Sequence, residues 1–370
     1  WGDCRDSMRQ MARDGIKVQT CITSPPYFGL RDYGTGKWIG GDESCSHKRD
    51  TKYSDKTITG HANKDLTVGD AIYKAVCPKC GAIREDKQLG LEESPKAFVD
   101  AMVEVFACLW DILEDDGTLW LNIGDSYSGS GKGVAGNLGK KHDERNMEGK
   151  HSKIIPEGLK AKDLIGIPWR LAFALQDFGW YLRQDIIWHK PNPMPESVKD
   201  RCTKAHEYIF LLTKKPTYYF DHEAIRENAV TMENRPSGVV RDREYGYESK
   251  QAKMRETRNG AVQHDKRENG AMQQIFEKKI EEKRNKRDVW TVATKPYAGS
   301  HFAVFPTELV EPMVLAGSRV GDIVFDPFFG SGTTGAVAQK LGRQYIGCEL
   351  NPAYADLQNE RLQQNSLKLL

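Results

Sequence analysis

The sequence predicts an α/β protein with a mostly parallel sheet and helices on both faces. Two observations carry this. Strand-patterned and helix-patterned segments alternate along most of the chain, which is the signature of a parallel sheet with helical crossovers. Two of the strands also run straight into special turns, one built on prolines and one on glycines, as expected where an open α/β sheet binds ligands at strand ends. No internal repeat interrupts the pattern.

In chain order, residues 1–35 alternate strand and turn signals, and Val18 to Ile22 read as a strand. The opening WGDC resembles a strand entered near its end, so residues upstream of Trp1 are expected. Residues 36–90 are polar, rich in glycine and hold a Cys/His cluster. Ser94 and Pro95 suit an N-cap and a first helical turn. Phe98, Met102, Val105, Phe106, Leu109 and Leu113 then keep helical spacing. Asp115-Asp116-Gly117 is expected to end that helix before the strand TLWLNIG. Residues 128–160 read as a mobile basic loop, because little there could form a core. From 161 to 222 the order is helix IPWRLAFALQDFG, strand YLRQDIIWHK, a Pro-rich turn and strand EYIFLLTK. Residues 226–288 are strongly charged and end in the basic run KKIEEKRNKR. Beyond 289 come helix PTELVEPMVLAG, strand DIVFDPF, a Gly-rich turn, helix TGAVAQKLG, strand QYIGCEL and a last helix.

The 370 residues suffice for one large α/β domain with insertions or for two domains. The division expected is a catalytic half at 1–35 and 91–225, an insertion at 36–90, the loop 128–160, a second insertion at 226–288, and a cofactor half at 289–370. Lys and Arg number 54 against 52 Asp and Glu, so the total charge of +2 announces no partner, whereas the local basic runs do. No run of 18 apolar residues suggests a membrane span, and no signal peptide is visible, so the cytoplasm is the expected compartment. There the eight cysteines argue for free thiols or a metal site rather than disulfides.

Two turns carry the chemistry. In DIVFDPFFGSGTTGAVAQKLGRQYIGCEL, Gly330 and Gly332 allow a ligand close to the backbone. Glu349 lies 23 residues after Asp326 at the next strand end, where an acid can bind ribose hydroxyls. No Walker lysine is present and the tight turn is led by Asp326, so the pattern is read as suiting a nucleoside with an amino-acid tail better than a phosphate chain. The other turn is Ser24-Pro25-Pro26-Tyr27. Two prolines fix φ and stiffen it. Pro26 has no N–H, so the Pro25 carbonyl is released from any ladder and can face a cleft. With the Ser24 hydroxyl it offers two acceptors beside the Tyr27 ring. Such a set can hold a planar aromatic amine, draw its nitrogen toward sp³ and free the lone pair for attack.

Together the turns TSPPY and DPFFGSGTT resemble the DNA amino-methyltransferases, which methylate exocyclic nitrogens with S-adenosylmethionine. Their order, catalytic before cofactor with a long stretch between, is similar to the permuted β group. GTLWLNIGDSY, IPWRLAFALQDFGWYLRQDIIWHKPNPMPESVKDR and HEYIFLLTK look like family segments in family order, so the resemblance spans nearly the whole chain. It implies a Rossmann-like methyltransferase fold with a mostly parallel seven-stranded sheet. By the same resemblance Ser24, Pro25, Pro26 and Tyr27 are the catalytic tetrapeptide. Asp326, Phe328, Gly330, Gly332 and Thr333 match the methionine-binding loop, Glu349 the ribose acid, and Asp3 the acid that meets the adenine amine. Thr307, at the start of the helix before that loop, is a further cofactor candidate. The target base must leave the duplex to reach such a pocket. Ser in place of Asp at the head of the tetrapeptide leans toward cytosine N4; adenine N6 is the alternative. A methylase of protein amides or RNA is disfavoured by the basic insertion and the permuted order, and a zinc-bearing DNA-binding module without activity would need neither turn intact.

Cys45, His47, Cys77 and Cys80 (CSH, then CPKCG) form a closed Cys₃His zinc set, expected to be structural because four protein ligands leave no open position. Residues 128–160 and 226–288 are the expected contacts to double-stranded DNA. HKPNPMPES, His189 to Ser197, is read as a rigid turn near the active site, with His189 structural. A homodimer and a cognate restriction enzyme are left open as partners.

Overall fold

The computed structural model describes residues 1–29, 35–47, 76–128, 158–229, 283–294 and 306–366. Most of the 128–160 loop, the interior of the 226–288 insertion, the middle of 36–90 and the stretch preceding Pro306 lie outside the described residues. Contacts divide the chain into two units, Trp1–Ala224 with Arg287–Leu370, and Ile225–Lys286.

The first unit is built on a seven-stranded sheet. Its strands are β1 (Val18–Thr23), β4 (Leu113–Ile123), β5 (Tyr181–His189), β6 (His206–Thr213), β9 (Val289–Thr291), β10 (Ile323–Asp326) and β11 (Gln344–Gly347), in the order β11-β10-β1-β4-β6-β5-β9. Strands β11, β10, β1 and β4 run parallel to one another, β6 is antiparallel to both β4 and β5, and β9 joins β5 in parallel. Strand β1 is buried along its whole length, including the polar Gln19, Thr20 and Thr23, as expected of a strand covered on both faces.

The helices are α1 (Cys4–Arg13), α2 (Pro95–Ile112), α3 (Ile167–Phe178), α4 (Thr307–Gly317), α5 (Thr333–Lys340) and α6 (Ala355–Ser366). Helix α2 is the central core element: Phe98, Met102, Val105, Phe106, Leu109 and Ile112 have almost no exposed surface. It starts as expected, with Ser94 Oγ accepting from the Ala97 N–H at 3.1 Å, but ends at Ile112, and β4 begins at once. Helix α1 departs from the strand-and-turn reading of the first residues. Asp3 caps it, and Cys4, Met8 and Met11 fall on one face and are buried, while Arg, Gln and Asp cover the rest. Two short strands, β2 (Lys37–Ile39) and β3 (Ile83–Glu85), form a separate antiparallel pair. In the second unit β7 (Glu227–Asn228) pairs antiparallel with β8 (Lys283–Arg284). Among the described residues no helix is long and apolar enough to cross a membrane.

Candidate active site

Strands β1 and β10 are parallel neighbours, so both special turns leave the same edge of the sheet. The Thr23 hydroxyl, the last residue of β1, donates to Asp326 Oδ1, the last residue of β10, at 2.7 Å. One hydrogen bond thus joins the base of the proline turn to the base of the glycine turn. Asp326 is 1 % exposed and also accepts from the Thr334 hydroxyl at 2.7 Å and the Phe328 N–H at 3.0 Å. Burial pushes its carboxyl up to about 6, against the pull of those three donors. Its oxygens are therefore spent on ordering the turn, with Thr334 fixing the first turn of α5.

The glycine turn is held from three sides. Gly330 (φ 52°) and Gly332 (φ 82°) take the left-handed conformation that the turn requires. Glu349 Oε2 accepts from the Gly330 N–H and Oε1 from the Asn351 N–H, both at 2.8 Å, while burial raises its carboxyl. From α6, the Gln358 amide donates to the Gly330 carbonyl at 2.6 Å, and Arg361 donates to the hydroxyls of Ser331 and Thr333. Phe328 is partly buried against the core. Asp3 is brought to the same edge, since the Gly2 N–H donates to the Glu349 carbonyl at 2.9 Å. Burial works to raise the Asp3 carboxyl, but hydrogen bonds and charge from Arg5 outweigh it, and the net shift is downward. Thr307 is exposed at the start of α4, and its hydroxyl donates to Glu308.

On the proline turn, Pro25 is buried and Ser24, Pro26 and Tyr27 are half-buried. The Gly29 N–H donates to the Gly90 carbonyl at 2.7 Å, and a Cβ on Gly90 would lie 2.9 Å from the Tyr27 carbonyl oxygen, so the chain at Gly90 buttresses the turn closely. Tyr27 is fixed at both ends of its side chain. Its ring lies against Gly124, where a Cβ would come within 2.6 Å of Cε2. Its hydroxyl donates to Glu207 Oε2 at 2.8 Å, and Asn122 Oδ1 lies 3.4 Å away. Glu207 Oε1 in turn pairs with Lys190, whose ammonium sits 4.2 Å from the centre of the Trp188 ring.

Beyond Tyr27 opens a cavity of about 410 Å³, bordered by Tyr27, Lys190, Asn192, Lys204, His206 and Glu207 among others. The HKPNPMPES turn forms one wall, and Asn192 anchors it by bonding both the N–H and the carbonyl of Thr294 at 2.9 Å. Burial depresses Lys204 and His206. His189 pairs with the Thr291 hydroxyl at 3.1 Å. Asp125 accepts from the Gly166 and Ile167 N–H groups and so closes the start of α3. Gly124, Asn122, Glu207, Gln358 and Arg361 were not singled out by the sequence. Only the family-like segments GTLWLNIGDSY and HEYIFLLTK mark the first three.

Comparison with known proteins identifies the family. The family model described as DNA methylase, of the N6/N4 type, matches residues 18–360. The Type II methyltransferase M.Cfr9I of Citrobacter freundii is 40% identical over 362 residues, covering 98% of this chain and 86% of that protein. M.SmaI of Serratia marcescens is 39% identical over 363 residues, covering 98% and 89%. Among solved structures, the PvuII DNA methyltransferase, titled cytosine-N4-specific, shares the fold with a TM-score of 0.51 at 14% identity, covering 99% of this chain and 88% of its own. With two strand-end turns joined at one sheet edge and relatives alike over nearly the full length, the chain belongs to the N6/N4 DNA methylase family and is an S-adenosylmethionine-dependent DNA methyltransferase.

Proposed function

We propose that the enzyme methylates the exocyclic N4 of cytosine in double-stranded DNA, with the target base turned out of the helix. The observation that carries this is the Thr23–Asp326 hydrogen bond, which sets the proline turn and the glycine turn side by side at one sheet edge. S-adenosylmethionine, when bound, supplies an electrophilic methyl group. The glycine turn from Phe328 to Thr333 would cradle its methionine part, Glu349 would face the ribose and Asp3 the adenine. Asp326 acts by shaping that cradle from below.

Ser24 Oγ and the Pro25 carbonyl then accept the two N–H bonds of the base amine. Both belong to the turn that Gly90 braces, and acceptors held on it would favour the tetrahedral nitrogen of the transition state. Tyr27, clamped by Gly124 and Glu207, offers its ring to the base. The neighbouring cavity falls within the usual size of a small-ligand site, and its wall carries both bases (Lys190, Lys204) and acids (Asp125, Glu196, Glu207). Serine at the head of the tetrapeptide supports cytosine; an acid there would suit the adenine amine. The basic stretches in 128–160 and 226–288 are proposed to contact DNA, and the Type II names of the relatives support a cognate restriction enzyme as a functional partner.

Mass spectrometry of nucleosides from DNA incubated with enzyme and cofactor tests the proposal. N4-methylcytosine is expected, and N6-methyladenine would overturn the choice of base. Ser24→Ala and Tyr27→Ala should each lose transfer while calorimetry still shows cofactor binding. Undiminished turnover in either variant would refute the assigned roles.

A further inference from the structure

The β2–β3 pair lies apart from the reacting groups, yet it is built with unusual care. Each strand has three residues, with little apolar surface to bury. A two-stranded pair of that size does not hold itself together in water. What the pair does is bring two cysteine-bearing loops face to face. The loop after β2 carries Cys45 and His47, and the turn before β3 carries Cys77 and Cys80.

The four donor atoms lie within 4.8 Å of one another. Cys45 Sγ is 3.9 Å from Cys77 Sγ, and Cys80 Sγ is 3.5 Å from His47 Nδ1. Tetrahedral zinc with bonds of about 2.3 Å to sulfur and about 2.0 Å to nitrogen demands S···S and S···N edges of about 3.8 Å and about 3.5 Å. The observed separations meet both. A disulfide would need about 2.0 Å between sulfurs, so the 3.9 Å pair is not one.

The surroundings are shaped to hold an ion. The Gly81 N–H donates to the Cys77 carbonyl at 2.9 Å, and the Cys77 N–H to the Ala82 carbonyl at 2.8 Å, which curls the Cys77–Cys80 turn around its sulfurs. A Cβ on Gly41 would lie 2.9 Å from Cys80 Sγ, so backbone packs directly on that thiol. His47 holds a positive φ of 37°, rare for a residue with a Cβ, and its ring stacks on Trp38 at 4.6 Å. Nδ1 faces the Cys80 sulfur, so the ring offers a nitrogen donor to the cluster. Past β3 the chain runs through Asp86, which accepts from Thr35 and pairs with Arg84, to Leu89 in the main core and Gly90 against the proline turn.

We propose that Cys45, His47, Cys77 and Cys80 bind one zinc ion as a closed structural site, and that this ion fixes the hairpin whose outgoing segment braces the Ser24–Tyr27 turn. Four protein ligands leave no position for a reactive water, so the metal stands in for a missing core. Enzyme produced in zinc-containing medium should carry one zinc per chain by elemental analysis. Cys80→Ser should lose it and melt at a lower temperature. Cobalt exchanged into the wild-type chain should give the visible absorption of a tetrahedral thiolate site, which keeps the test open if the variant fails to fold. Wild-type protein without zinc and with Cys45 and Cys80 reactive in the folded state would overturn the proposal, as would an octahedral cobalt spectrum.

Discussion

Replacing Asp326 by Asn probes the junction of the two turns in a way that depends on sign. The buried carboxyl titrates at about 6 in the folded protein, against an ordinary value of 3.8. Below pH 3.8 both folded and unfolded chains hold the proton. Between 3.8 and 6 the unfolded chain releases it and the folded one keeps it, so this residue's contribution to stability is lost as pH rises. The gap of about two units corresponds to about 3 kcal/mol at about 1.4 kcal/mol per unit. Asn has no such dependence. Its Oδ1 can still accept from Thr23 and the Phe328 N–H, and the Thr334 hydroxyl can turn to accept from Nδ2. Urea unfolding of both proteins without cofactor, at about pH 4 and about pH 7, should therefore show Asp326→Asn gaining about 3 kcal/mol on wild type across the interval. A difference that stays constant with pH, or shrinks as pH rises, refutes the reasoning.

Two further substitutions test how Tyr27 is held. Gly124→Ala would place a methyl 2.6 Å from the Tyr27 ring, so the ring must shift. Turnover should fall about 100-fold, the usual scale for a misplacement of about 1 Å, with cofactor affinity by calorimetry unchanged; full turnover would show that the ring position does not matter. Glu207→Gln removes the charge that binds Tyr27 and Lys190 together. Losing a charge-assisted hydrogen bond of about 1.5 kcal/mol predicts roughly a tenfold lower kcat. The dissociation constant for cofactor should not move, whereas the melting temperature should fall because Lys190 loses its partner; a lower melting temperature with unchanged kcat makes Glu207 a packing residue.

The parts of the site that sit in consecutive residues were legible from the sequence. SPPY and DPFFGSG each announce themselves by prolines or glycines at a strand end, and CSH with CPKCG by ligand type and spacing. What was hidden is whatever the tertiary fold supplies. The acids illustrate this best. Asp326, Glu349 and Asp3 were marked as cofactor residues by position, but a sequence does not say that Thr23, Gly330 and Arg5 already engage them. Glu207 and Gly124 carry no local signal, because their meaning comes from Tyr27, far away in the chain. Helix α1 was missed for a different reason. Its apolar stripe is only Cys4, Met8 and Met11, thin enough to disappear among seven polar or small neighbours.

The Thr23–Asp326 contact also governs when the enzyme becomes active. Its partners are 303 residues apart, so the entropy of closing that loop is about 5 kcal/mol by the logarithmic rule. No local segment can meet that cost before the sheet gathers its last strands. On the ribosome, the base of the proline turn is made 303 residues before the base of the glycine turn. A nascent or truncated chain therefore displays half of the site with nothing to act with, and methylation begins only when synthesis has passed β10 and that strand has slotted beside β1.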